Sequence, residues 1–287
     1  MDKENAAKEI GVLRQQSHVW AMCLVLRREA EELLSKAGTD QPSRTVAAPR
    51  HNAYLAFSLG RALARSGLNP EAVAEFTNVI ELKPDFVDAW RGRADSHLRL
   101  GQKDSALADS SKIIELDPKS ASAWQYRGSI YLVLGQQDNA IADYTKAVEL
   151  GPKDAMAHNN LAWVLATHPN PKVRDPGRAV TWAKIAVQLA PKEGVYWNTL
   201  GVAHYRAGDW KAALAALKKS MELREGGDSF DWFVLAMSHE KLGEMEKARQ
   251  WYDRARHWMD ENQVHNEELR RFRAEATEVL GVDQKED

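Results

Sequence analysis

A period of 34 residues constrains this chain more than any other feature. Pro84, Pro118 and Pro152 fall 34 apart, as do Gly67, Gly101 and Gly135, and again Ala72, Ala106 and Ala140. The pairs Glu81-Leu82, Glu115-Leu116 and Glu149-Leu150 keep the same step. Three such copies run from Ala53 to Asp154 without an insertion. Copies of one short segment cannot each enclose a core. They bury their apolar faces on their neighbours and grow by addition.

The first three units are 53–86, 87–120 and 121–154. In each, one helix is expected over about the first 14 positions and a second from near position 18. Trp90 and Trp124 occupy position 4, Gly60, Ala94 and Gly128 position 8, Tyr131 position 11, and Phe76 and Tyr144 position 24. Small residues at positions 8 and 20 let two backbones approach, and the aromatics fill the gaps beside them. A large side chain at Ala140 should overpack that contact by about 1–3 kcal/mol. A proline ends each second helix, because it cannot donate the next backbone hydrogen bond.

The fourth unit, 155–193, breaks the period: the step from Pro152 to Pro191 is 39, five more than the repeat step of 34. The excess lies in 167–177, where three prolines predict a stiff, extended excursion. Asp175-Pro176 then restarts a helix, with Asp as its cap and Pro in the first turn. Asn69-Pro70 is expected to do the same in the first unit. The fifth unit, 194–227, carries Trp197, Gly201, Gly208 and Ala213. The sixth, 229–262, carries Trp232, Gly243, Ala248 and Tyr252. Over 263–281 a last helix is expected from near Asn266, with Leu269, Phe272, Ala276 and Val279 as its stripe and Gly281 as its stop. It reads as a terminal cap, with a charged tail over 282–287.

At the other end, 1–37 reads as one amphipathic helix striped by Trp20, Cys23, Leu26, Ala30 and Leu33, and 38–52 as a linker. That helix is either a degenerate repeat half covering the open end of the array or a free interaction helix. The cap is favoured because a solenoid must cover its terminal face. Lys and Arg number 39 against 41 Asp and Glu, a formal charge of −2, which argues against nucleic acid as a partner. The single cysteine, Cys23, excludes an intramolecular disulfide and suits a reducing compartment. No run approaches the ~18 apolar residues of a membrane span, and Met1-Asp2-Lys3-Glu4-Asn5 is unlike a secretory leader. A cytoplasmic protein is expected.

Across about 53–280 the chain resembles the tetratricopeptide repeat (TPR) family, on its six units, their constant step and the Trp, Gly, Tyr, Ala, Phe and Pro positions together. Departures are Arg93 and Arg127 at position 7, Ser110 at position 24, and Glu225 where the fifth unit's proline would stand. The resemblance implies an all-α fold, an α-solenoid of about six helix-turn-helix units with N- and C-terminal capping helices. More narrowly, the second half is similar to TPR tails of some bacterial serine/threonine kinases, through 161–167, 196–205, Asp231-Trp232-Phe233 and 268–275. No Gly-rich phosphate loop, His-Arg-Asp or Asp-Phe-Gly is present.

What the family implies is binding and not chemistry: a non-enzymatic scaffold holding a protein or extended peptide in a concave groove lined by the first helices. The alternative is a regulatory arm of a bacterial kinase, which makes a kinase a possible partner. The family's groove positions fall here on Tyr54, Phe57 and Arg61, then Asp88, Arg91 and Asp95, then Ser122, Gln125, Tyr126 and Ser129. They continue as Met156, Asn159, Asn160 and Trp163, as Val195, Asn198, Thr199, Val202 and Tyr205, and as Phe230, Phe233 and Met237. A carboxylate clamp of the chaperone-binding kind fits poorly, because Asp95 stands where it wants Asn. An asparagine ladder of Asn159, Asn160 and Asn198 fits better, since an Asn side chain both donates to and accepts from a peptide backbone.

His97, His204 and His239 share position 11, the packing slot, and lie whole repeats apart, so they cannot converge on one ion. His158 takes position 4 as a packing substitute. No metal, cofactor or catalytic residue is expected. Trp163 is left open between groove and core. Cys23 reads as buried, and Arg270, Arg271 and Arg273 as surface ion-pair partners.

Overall fold

The computed structural model describes residues 52–262 and 266–282. The expected 1–37 helix, all but the last residue of the linker, and the tail beyond 282 lie outside the described residues. Among these residues there are thirteen helices and no strand. They form two compact units, divided between Leu134 and Gly135. In the first are α1 (Ala53–Arg65), α2 (Asn69–Leu82), α3 (Val87–Arg99), α4 (Lys103–Leu116) and α5 (Ala121–Val133). In the second are α6 (Gln137–Leu150), α7 (Ala155–Thr167), α8 (Pro176–Leu189), α9 (Gly194–Arg206), α10 (Trp210–Leu223), α11 (Ser229–Lys241), α12 (Met245–Glu261) and α13 (Glu267–Leu280). Within each unit, helices adjacent in the chain pack on one another and alternate first helices touch, the stacking of an all-α solenoid.

One bond recurs at position 4. The indole N–H donates to the carbonyl six residues back: Trp90 to Pro84 at 2.8 Å, Trp124 to Pro118 at 3.0 Å, Trp197 to Pro191 at 2.9 Å and Trp232 to Gly226 at 2.9 Å. His158 makes the same reach, with Nε2 2.9 Å from the Pro152 carbonyl, and stacks on Trp182. The side chain that packs between helices thus also pins the preceding turn. That turn accounts for both the aromatic and the fixed spacing.

Inside the repeats, the turn glycines Gly67, Gly101, Gly208 and Gly243 take φ between 72° and 78°, where a side chain would be strained. Position 24 supplies the interhelical wedge. A Cβ on Gly60 would come within 2.9 Å of the Phe76 ring, and one on Gly92 within 2.6 Å, so Phe76 sits where α1 and α3 carry no side chain. Leu217 meets Gly201 in the same way at 2.6 Å.

Two local expectations meet different geometry. Asn69 is no cap: α2 begins on it, Leu68 is the capping position without a side-chain bond, and the Asn69 amide donates to the Gly67 carbonyl. Asp175 does cap α8, accepting from the Arg178 N–H at 3.0 Å. The 167–177 insertion is not an extended excursion but a tied turn. The Asp175 N–H reaches the Leu165 carbonyl at 3.1 Å, and the Arg174 Nε the His168 carbonyl at 2.8 Å. An insertion between two packed helices must return the chain to where it left, and these bonds close that loop.

The departures at position 7 are structural. Arg93 makes a bidentate pair with buried Asp109, at 2.9 and 2.7 Å, donates to Thr77 at 3.1 Å and lies over the Trp90 ring.

Candidate functional site

In the first unit the expected groove residues of α1, α3 and α5 share one face, and a cavity of about 450 Å³ opens on it. Phe57, Phe76 and Gly92 form its apolar floor, and Arg61, Arg65, Arg91 and Arg99 stand around it with Asp88 and Asp95. The floor is set by aromatic packing: Phe57 lies 5.9 Å from Phe76 and 4.9 Å from Phe86, ring to ring. Arg61 and Arg65 are exposed, and the Arg61 guanidinium lies over Phe57 at 5.7 Å. Tyr54, at the start of α1, is 64% exposed, with the Lys83 ammonium 4.1 Å above its ring.

Farther along this face the polar groups are engaged with one another. The Tyr126 hydroxyl donates to Asp95 at 2.7 Å, while its ring stacks under Arg91 at 4.6 Å. Burial, and then the Asp95 charge, push the Tyr126 phenol well above its ordinary range, so it stays a neutral donor. Gln125 is buried, whereas Ser122 and Ser129 are exposed, the Ser129 hydroxyl donating back to the Gln125 carbonyl. With four guanidinium groups against two carboxylates, the cavity lining carries a positive surplus.

The second unit presents its corresponding face differently. Asn198 is buried, and its amide donates to Asp231 at 2.9 Å. Asp231 in turn closes a capping box with Asp228 and accepts from Arg224 at 3.0 Å. Asn159 is 8% exposed, and Thr199, Val202, Phe233 and Met237 are buried. Asn160 is half-buried. The asparagines therefore do not line up as a ladder facing solvent: Asn198 is spent on holding α11 to α9. Met156 and Val195 are exposed at their helix starts, at 56% and 51%.

Over the remainder of that face lies α13, whose main packing partner is α11 and not α12. Trp163, on α7, donates its indole N–H to Glu268 at 3.2 Å and stacks on Phe272 at 6.3 Å. Phe230 meets both rings edge-on, at 5.5 and 5.4 Å. Arg206, on α9, grips Glu275 through both terminal guanidinium nitrogens, one at 2.7 Å. Tyr205 is pushed up to about 12, mainly by burial and also by the Glu275 charge.

Reading the sequence position by position overlooked a basic slot at position 13: Arg65, Arg99, Arg206 and Lys241. Its signal was the period itself. These side chains project from the last turn of each first helix, where a cation also complements the helix dipole. The position-11 histidines each face an acceptor five residues on: Gln102 at 2.5 Å from His97, Glu244 at 2.7 Å from His239, and Asp209 at 3.8 Å from His204. Among the described residues no group of three His, Cys, Asp or Glu could hold a metal ion. Nor is any described helix long and apolar enough to cross a membrane.

Family models described as Tetratricopeptide repeat match residues 57–121, 111–142 and 232–255, and one described as TPR repeat matches 128–167. No curated protein matches the chain. Among solved structures it is similar to PilW, described as a widely conserved type IV pilus biogenesis factor. That match has 20% identity and a TM-score of 0.61, over 76% of this chain and 97% of that one. It is similar to PilF of Pseudomonas aeruginosa at 14% identity and a TM-score of 0.59, over 78% and 97% of the two chains. A tetratricopeptide repeat protein from Parabacteroides merdae matches at 17% identity and a TM-score of 0.55, over 92% and 99%. At these identities the likeness is one of fold.

Proposed function

The chain is a tetratricopeptide repeat protein, and on that premise we propose that it is a non-enzymatic scaffold which takes an acidic protein segment on the first-helix face of residues 52–134. The observation that carries this reading is the open cavity beside Phe57, with its four arginines and two aspartates. Exposed guanidinium groups bind carboxylates through charge-assisted, often bidentate bonds. The aromatic floor offers an apolar side chain of the same segment a place to bury. Asp88 and Asp95 give register, because a run of carboxylates set against them is repelled. Tyr126, held neutral, and Arg91, held on its ring, supply fixed walls at low entropic cost.

A panel of fluorescent peptides differing only in charge tests this. Acidic peptides with one large apolar residue are expected to bind the full chain, and neutral and basic versions to bind at least about tenfold more weakly, a difference of about 1.4 kcal/mol. The charge reversal Arg61→Glu/Arg65→Glu should abolish that preference without lowering helicity. Equal binding of all three peptide classes, or a preference unchanged in the variant, would remove this face as the site. A kinase recovered as the owner of the bound segment would support the narrower resemblance of the second half.

A further inference from the structure

The second unit holds a segment of its own chain where the first unit is open. We propose that the first-helix face of residues 135–282 is a helix-binding groove, that α13 is its resident occupant, and that an amphipathic partner helix presenting Leu, Phe and Glu in the spacing of Leu269, Phe272 and Glu275 replaces it. This deepens the scaffold reading above and rests on it.

As a helix covering the end of the stack would, α13 packs mainly on α11 of the last pair, but its side chains go further. It reaches α7 through Trp163 and α9 through Arg206 while resting on α11. It thereby spans three successive first helices. The contacts are those of a ligand, with an apolar anchor between polar ends. Phe272 enters a three-ring cluster with Trp163 and Phe230, and Leu269 is buried beside it. At the two ends Glu268 accepts from the indole N–H and Glu275 occupies Arg206. Aromatic anchors flanked by satisfied charges, on residues three and four apart, are how grooves read helices.

Two further features favour exchange over permanent burial. First, α13 leaves apolar surface uncovered on the same unit, since Met156 and Val195 stay exposed; a partner that also covers them gains area α13 does not bury. Second, α13 follows α12 after five residues, so its advantage over a free helix is largely its high local concentration. Arg206 gives the groove its specificity. Its side chain is 8% exposed and its charge is matched by Glu275, so a helix without a carboxylate there leaves a buried cation alone.

The test uses the full chain and a labelled peptide of residues 266–282. Wild-type protein should bind the peptide weakly, because the tethered copy competes. A Phe272→Ala/Glu275→Ala chain should bind it at least tenfold more tightly, and a peptide carrying the same two changes should not bind that chain. Equal binding to both chains, or none to the variant, overturns the proposal. Should the variant fail to fold, hydrogen exchange on the wild type decides. Backbone amides of α13 are expected to exchange through openings that leave α9 and α11 protected. Exchange of α13 at the slowest rates of the unit would make it a fixed structural part and end the proposal. Loss of the peptide result with acidic-segment binding intact at Arg61 and Arg65 overturns this inference alone. Loss of that binding with the peptide result intact overturns the first-unit site alone.

Discussion

Arg93 shows how one residue can be misread at the scale of a single position. It departs from the repeat pattern, and a charge where a leucine is usual invites a functional explanation. Its partners are internal: Asp109 is buried against it, and removing the guanidinium would take away that carboxylate's main partner, with the His97 ring 3.9 Å away. Arg93→Leu is therefore expected to cost about 3 kcal/mol in chemical denaturation, while Arg93→Leu/Asp109→Leu recovers most of the loss. At position 4 the indole N–H, and not only the ring, matters. Trp197→Phe keeps an aromatic ring, though a smaller one, and leaves the Pro191 carbonyl without its donor, for a loss of at least about 1 kcal/mol. His204 carries a pH signature. Burial, reinforced by Lys184 and opposed by Asp209, holds its pKa below the ordinary 6.5. Below that pH the unfolded chain takes up a proton that the folded chain refuses, so stability present above about pH 6.5 is lost on acidification. The melting temperature should fall less between pH 7.5 and 5.5 in His204→Tyr than in the wild type; equal falls would assign the acid sensitivity elsewhere.

At the scale of elements, the period of 34 carried most of the fold. Fixed spacing fixes which face each residue takes, so the helix pairs, the turn glycines and the buried alanines Ala72, Ala106 and Ala140 were all legible. Less legible was anything set by contacts between non-equivalent residues. The pairing of Asn198 with Asp231 spans one repeat, and neither residue signals the other in sequence. Asn198 therefore read as groove, although it is a buried tie between helices. The insertion at 167–177 read as stiff and extended from its prolines, while the bonds that fold it back come from Asp175 and Arg174. Trp163, left open between groove and core, lies on the first-helix face beneath α13. The wedge of Phe76 between two glycines gives an element-scale prediction. Gly92→Ala should cost about 1–3 kcal/mol by overpacking, because the ring 2.6 Å from the new methyl is itself fully buried.

For the whole molecule, the two units use one architecture in two ways. Residues 52–134 present an open, positively lined face, and residues 135–282 present a face on which α13 already lies. The proposed work of this chain is binding and not chemistry, at the accessible face bearing Arg61. Site-specific photo-crosslinking tests this most directly. A photoreactive side chain would replace Tyr54, 64% exposed on the same helix as Arg61, or Lys112 on the second-helix side of the same unit. The Lys112 side chain is 41% exposed and pairs with Glu115 at the surface. Exposed to the acidic peptide, the chain should crosslink from position 54 and not from position 112. Crosslinking from 112 alone, or equally from both, would contradict the account.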